Sequence, residues 1–192
     1  MKRTVNDKSP SFQEEAWDFL KTLLICMVVV FTLSNYVIRP IRVDGSSMYP
    51  TLQDGNVGFS NLIGRKMNGV KRFDIVIIYI PEKDEYLVKR VIGLPNETVT
   101  FDHDTLSING EVVDQDFLNT TYEKGFLDGF TKDSSNQDTF EIKLHDDEYY
   151  CLGDNRPDSL DSRYYGPFKG EQLTSKGVLV IWPFKEFGVK TW

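Results

Sequence analysis

Phe73-Asp74-Ile75-Val76-Ile77-Ile78-Tyr79-Ile80, closed by Pro81, and Tyr86-Leu87-Val88-Lys89-Arg90-Val91-Ile92, closed by Gly93-Leu94-Pro95, decide the fold class of this 192-residue chain. Both runs are short, rich in β-branched and aromatic residues, and bounded by turn formers, which is the pattern of strands. Outward from them the pattern recurs at residues 98–101, 105–108, 111–113, 140–144, 148–152 and 178–182. Asn109-Gly110 between two of these runs favours a tight hairpin. The expectation is a mainly β, antiparallel domain with little helix of its own. Residues 117–139 are polar and dotted with glycine and read as a long excursion, the centre of a variable region at about 102–145.

Ahead of the strands lies an uncharged apolar run, residues 22–38, between Lys21 and Arg39. It is apolar on every side and roughly long enough to cross the hydrocarbon core of a bilayer. No pair of small residues suits a leader cleavage site after it, and Ala16 is the only alanine of the chain, so a retained transmembrane helix is expected. Lys2, Arg3, Lys8 and Lys21 precede the run, whereas Arg39 and Arg42 follow it. The positive-inside rule then puts residues 1–21 in the cytoplasm and residues 39–192 outside the cell membrane. The net charge of −7 opposes nucleic-acid binding. Cys26 in the apolar run and Cys151 far beyond it are not expected to pair.

A candidate nucleophile follows the apolar run in Gly45-Ser46-Ser47-Met48-Tyr49-Pro50-Thr51-Leu52, where hydroxyls sit on a glycine-preceded bend beside apolar side chains. An ordinary turn has the same composition, so the question is whether the chain supplies a base. His103 and His145 are each embedded among aspartates and read as solvated loop residues. Lys89 shares a strand face with Leu87 and Val91, while Arg90 points the other way. If that face is buried, desolvation favours the neutral amine; if it is the solvated face, Lys89 is an ordinary surface cation. Periodicity leaves both open.

A third stretch, Gly153-Asp154-Asn155-Arg156-Pro157-Asp158-Ser159-Leu160-Asp161-Ser162-Arg163-Tyr164-Tyr165-Gly166, is dense in polar side chains. Acids at 154, 158 and 161 could serve a cation, but the intervening arginines favour a loop braced by Asp–Arg pairs.

Taken together and in this order behind an apolar segment, these stretches resemble bacterial type I signal peptidase, a membrane-bound serine protease. Residues 47–52 match its nucleophile motif, residues 89–95 its base motif and residues 153–166 its late signature. Phe73 stands where the family often has glycine. The resemblance implies Ser47 as nucleophile and Lys89 as general base, with Ser159 hydrogen-bonding and orienting the amine. It implies ion pairs Asp161–Arg163 and Asp154–Arg90 beneath them, and a Ser47 N–H that donates to the oxyanion. Many relatives carry a second donor, a serine, where this chain has Gly45, so that donor is left unassigned. The implied activity removes N-terminal signal peptides from exported preproteins, cutting after small residues of Ala-x-Ala type, without metal or cofactor. Val43, Met48, Leu52, Ile77 and Val88 are candidate linings of the shallow apolar pocket such residues need. The C-terminal aromatics Trp182, Phe184, Phe187 and Trp192 suit contact with membrane lipid. The rivals are a self-cleaving Ser-Lys repressor, which the acidity and the anchor oppose, and a non-catalytic, membrane-tethered assembly factor of the same fold.

Overall fold

A computed structural model describes residues 12–64, 69–118, 122–126 and 129–190; Lys2, Arg3, Lys8 and Trp192 lie outside the described residues. The chain divides after Val37. The first unit is helix α1 (Phe12–Thr32), continued by a wider π turn over Leu33–Val37. Ser34 Oγ donates to the Val30 carbonyl and Asn35 Nδ2 to that of Phe31, diverting acceptors from the α-helical ladder where the turn widens. The span Phe12–Val37 is long and apolar enough to cross a membrane. It begins ten residues before the apolar run read at 22–38, because Gln13, Glu14, Glu15 and Ala16 are good helix formers, and Ile38 already belongs to a strand.

The second unit, Ile38–Trp192, is built on antiparallel strands. They are β1 (Ile38–Arg42), β2 (Val57–Asn61), β3 (Ile75–Ile80), β4 (Glu85–Gly93), β5 (Thr98–Asp102), β6 (Thr105–Ile108), β7 (Glu111–Val112), β8 (Thr139–Lys143), β9 (Glu148–Leu152), β10 (Phe168–Lys169), β11 (Leu173–Trp182) and β12 (Gly188–Lys190). The larger sheet runs β1-β2-β11-β3-β4-β9-β10, with β12 added to β11. Gly177, at φ +67°, marks a bulge in β11, after which β12 rather than β3 is its neighbour. The smaller sheet, β7-β6-β5-β8, forms from the region read as a variable excursion. Residues 102–145 thus supply β6, β7 and β8 to an ordered sheet, and the polar stretch among them connects β7 to β8.

Three clusters make the core. Ile92, Val99, Phe101, Leu106, Leu144 and Leu152 join the two sheets. Val76, Ile78, Val91, Cys151, Phe168 and Leu173 cover one face of the larger sheet. Val43, Met48, Leu52, Ile75, Val178 and Val180 seal the segment after β1 against β3 and β11. β3 is buried along nearly its whole length, which explains its continuous apolar run.

Two backbone positions fix how β3 and β4 meet the rest. Phe73 has φ +69°, the left-handed region that glycine occupies without penalty, and its ring packs on Phe117 at 4.9 Å. Gly93 ends β4 where the chain passes to the smaller sheet; a Cβ there would lie 2.4 Å from Val99 Cγ2 and 2.6 Å from Leu144 Cδ1. Gly93→Ala should therefore overpack the junction and lower the unfolding free energy by about 1–3 kcal/mol, read as a lower urea midpoint at constant slope. An unchanged midpoint would mean that the two sheets separate at no cost.

Candidate active site

The segment after β1 bends back at Gly45, whose φ of +92° suits a residue without a side chain. The Gly45 N–H donates to Asp54 Oδ1 at 2.8 Å, and Leu52 N–H to the Met48 carbonyl at 2.9 Å, closing a compact turn. Met48 and Leu52 anchor it in the core. Ser47 is left at the surface of the turn, facing β4.

Lys89 lies in the middle of β4, opposite Val76 of β3, and is only 2% exposed. Of the two environments the sequence leaves open for it, Lys89 occupies the buried one. Its Nζ donates to Ser47 Oγ at 2.7 Å across 42 positions of sequence. Burial pulls its pKa down from 10.5 to about 8; the Asp161 carboxylate opposes that fall and the Arg163 guanidinium assists it. A neutral amine in contact with a hydroxyl is thus available at mildly alkaline pH.

Arg90, on the opposite face of β4, is fully buried and bidentate to Asp154, with Nε–Oδ1 at 2.8 Å and Nη2–Oδ2 at 2.7 Å. Thr51 Oγ1 also donates to Asp154, at 2.6 Å, so the same carboxylate ties the serine turn to the strand that carries the lysine. Arg163 is bidentate to Asp161 through Nε and Nη2, both at 2.8 Å. Burial works against the Asp161 charge, yet Arg163 and the Gly153 N–H hold its carboxyl below the usual carboxylate range. Both ion pairs expected from the sequence are formed.

Gly153 lets the late loop press on the serine turn: a Cβ would lie 2.4 Å from the Ser47 carbonyl oxygen and 2.2 Å from Ser159 Oγ. Ser159 departs from the sequence expectation. Its hydroxyl makes no hydrogen bond to Lys89 and is buried without a partner in bonding geometry, although it lies close enough to Asp161 to favour that carboxylate. The Lys89 amine is directed instead at Ser47.

Two adjoining clefts meet at Ser47 and Lys89. One, of about 360 Å³, has Val43, Met48, Leu87 and Val88 in its wall and Asp44, Asp84 and Glu85 at its rim. The other, of about 430 Å³, runs between Gly45 and the late loop past Ser159, Leu160 and Tyr164. Val43, Met48 and Val88 line the first cleft as expected, but Leu52 and Ile77 do not. Leu52 is sealed beneath Met48, and Ile77 stands one strand behind its pairing partner Val88. Leu87 and the acidic rim escape sequence reading because the cleft gathers residues from the segment after β1, the turn before β4 and the start of β4 itself. His103 and His145 are exposed and line neither cleft; Asp102 holds His103 by a 2.9 Å contact that raises its pKa. Among the described residues no group of His, Cys, Asp and Glu is arranged to hold a metal ion.

The family described as signal peptidase, peptidase S26, matches residues 16–182. The chain is 33% identical over 180 residues to signal peptidase IB of Staphylococcus aureus, covering 91% of this chain and 94% of that one. It is 34% identical over 183 residues to signal peptidase I S of Bacillus subtilis, covering 95% and 97%. A crystal structure of a signal peptidase I from Enterococcus faecalis superposes with a TM-score of 0.50 at 32% identity, over 56% of this chain and 95% of that chain.

The buried amine has a measurable consequence for stability. Below pH 8 the folded chain carries an ammonium that the unfolded chain solvates freely, and a fall in pKa from 10.5 to about 8 corresponds to about 3 kcal/mol. Between pH 8 and 10.5 the unfolded state binds more protons, so this contribution to stability rises with pH. Lys89→Met should thus stabilise the fold by about 2–3 kcal/mol near pH 6.5, less the lost hydrogen bond to Ser47, with the advantage fading toward pH 10. Denaturant unfolding at several pH values tests this; a variant less stable than wild type at pH 6.5 would show that the amine is solvated.

Proposed function

Because the chain belongs to the signal peptidase family, peptidase S26, we propose that Ser47 is the nucleophile and Lys89 the general base of its peptide-bond cleavage. The chain is a serine endopeptidase that removes signal peptides, and its substrates are preproteins that carry them. The observation that carries the assignment of roles is the 2.7 Å contact between Ser47 Oγ and a lysine amine stripped of water.

The neutral amine accepts the Ser47 O–H proton as Oγ attacks the scissile carbonyl carbon. The carbonyl π electrons move to oxygen, and the Ser47 N–H, which has no acceptor among the described residues, supports donation to that oxyanion. Gly45 brings no hydroxyl, and the Ser46 hydroxyl is committed to Asp158. Collapse of the tetrahedral species breaks the C–N bond; the Lys89 ammonium protonates the departing amine and is neutral again. The amine next takes a proton from water, whose oxygen attacks the acyl ester. Ser47 leaves with the proton from Lys89, and the signal peptide is released as a carboxylic acid. Ser159 shares the second cleft with Lys89, but its hydroxyl makes no bond to the amine, which Ser47 alone engages among the described residues.

The first cleft supports a preference for small residues before the cut. Residues Glu85–Lys89 of β4 pair with β3 on one side only, because β9 joins β4 from Arg90 onward. An extended substrate adds there as a strand and turns alternate side chains toward the apolar wall of Val43, Met48 and Val88. Anchoring by Phe12–Val37, with the N-terminus in the cytoplasm and the β unit outside, follows from the excess of Lys and Arg before the span. The exposed side chains of Trp182, Phe184, Phe187 and Val189, clustered near β12, support contact with the outer leaflet.

With a detergent-solubilised chain and an Ala-x-Ala preprotein, Ser47→Ala and Lys89→Ala should each abolish cleavage while leaving the fold intact by circular dichroism. The wild-type rate should rise through a limb near pH 8, since the base works only when neutral. Turnover by either variant, or a limb near pH 6.5, would overturn the dyad. Quenching of a chain carrying Trp182 alone by lipids brominated along their acyl chains should be strong; none would remove the lipid contact.

A further inference from the structure

The connection between β7 and β8 falls outside the family's motifs, yet it reaches the serine turn through a chain of polar contacts. Asn155, buried in the late loop, holds two carbonyls of that turn. Its backbone N–H donates to the Ser47 carbonyl at 3.0 Å and its Nδ2 to the Ser46 carbonyl at 3.1 Å. A carbonyl can only accept, so the amide orientation is fixed and Oδ1 faces away from the turn. There Oδ1 accepts the phenol hydroxyl of Tyr122 at 3.1 Å. The Tyr122 ring stands edge-on to Tyr49, at 4.9 Å, within the serine turn itself. Phe126 and Phe130 close on the same ring at 5.3 and 6.3 Å.

The same connection grips the late loop elsewhere. Arg156 is fully buried and spends its guanidinium on neutral oxygens: Thr131 Oγ1 and Gln115 Oε1, both at 2.8 Å, and the Gly153 carbonyl at 3.0 Å. Arg163 Nη1 donates to the Lys132 carbonyl at 3.0 Å. Within the turn the Ser46 carbonyl also accepts the Tyr49 N–H at 2.9 Å, whereas the Ser47 carbonyl takes its donor from the backbone of Asn155, so the late loop completes the pairing of the serine turn.

We infer that Tyr122 is a positioning residue for cleavage: it locks the Asn155 amide on the Ser46 carbonyl, and through it the Ser46–Ser47 peptide, in the geometry that points Ser47 Oγ at Lys89. The inference rests on the reading of Ser47 as nucleophile. A neutral hydrogen bond contributes modestly to stability, but misplacement of a nucleophile by a fraction of an ångström is felt directly in the rate of attack. Tyr122→Phe keeps the ring contacts and removes only the hydroxyl that fixes Asn155.

The test measures steady-state cleavage of a soluble peptide substrate and thermal unfolding for the full-length chain, as wild type, Tyr122→Phe, Asn155→Ala, the double variant and Ser47→Ala. Tyr122→Phe should lower kcat by about 3- to 10-fold with KM and Tm unchanged. Asn155→Ala should lower kcat further, and the double variant should match Asn155→Ala alone, because the hydroxyl then has nothing to hold. An unchanged kcat in Tyr122→Phe, a fall in kcat that tracks a fall in Tm, or independent losses in the double variant would each overturn the inference. Ser47→Ala separates the two readings. If it still turns over, the dyad fails; if it is dead while Tyr122→Phe behaves as wild type, only the positioning role fails.

Discussion

Two consecutive residues of one strand carry like charges into opposite fates, and the architecture depends on that asymmetry. Arg90 is buried and meets a carboxylate that satisfies it in two directions, whereas Lys89 is buried and meets a hydroxyl. A buried guanidinium left unpaired would be strongly destabilising, so Asp154 is tightly constrained in where it sits. That constraint draws the late loop onto β4, and Thr51, bonded to the same carboxylate, draws the serine turn in with it. The desolvated amine beside Ser47 is the product of this assembly. The paired arginine builds the frame, and the lysine carries the free-energy cost of its burial.

The late loop is held from two sides. Toward the larger sheet it is fixed by Asp154 on Arg90 and by the missing Cβ of Gly153; toward the smaller sheet it is fixed by Arg156, Arg163 and Tyr122. The smaller sheet is thus coupled to the chemistry without contributing a residue to either cleft beside Ser47. Arg156 shows the character of this coupling, since neutral oxygens alone hold its guanidinium and its separation from Thr131 and Gln115 would strand a buried cation.

What the sequence reveals follows the physics of each element. β4, β6 and β9 are legible because turn formers bound them closely. β1 and β2 are not, since Pro40 and Gly58 dilute short runs whose strand character comes from pairing with each other and with β11. Ser47, Lys89 and the two Asp–Arg pairs are legible as motifs, but the depth of Lys89 is not, because alternation names a face without saying which is covered. Ile77 and Leu52 fail as pocket residues for a related reason: an apolar side chain beside a site in sequence can stand one layer behind it in space. Ser159 is legible as a member of the loop, while its hydroxyl is oriented by packing that no local pattern encodes. Tyr122 carries no signal at all, being one aromatic in a polar stretch whose partner lies in a loop thirty-three positions on.

The half-paired edge of β4 has a consequence for what this enzyme can treat as substrate. A segment crossing a bilayer must satisfy its own backbone and is therefore helical, whereas the open edge beside Glu85–Lys89, proposed above to take substrate as an added strand, suits only a chain that has surrendered those internal bonds. On that proposal, local unravelling of the cargo becomes a checkpoint: a segment whose helix melts can be released, and one that stays helical is kept. The residues directly after this chain's own apolar span are already paired, β1 with β2, and so have no free edge to offer as such a strand.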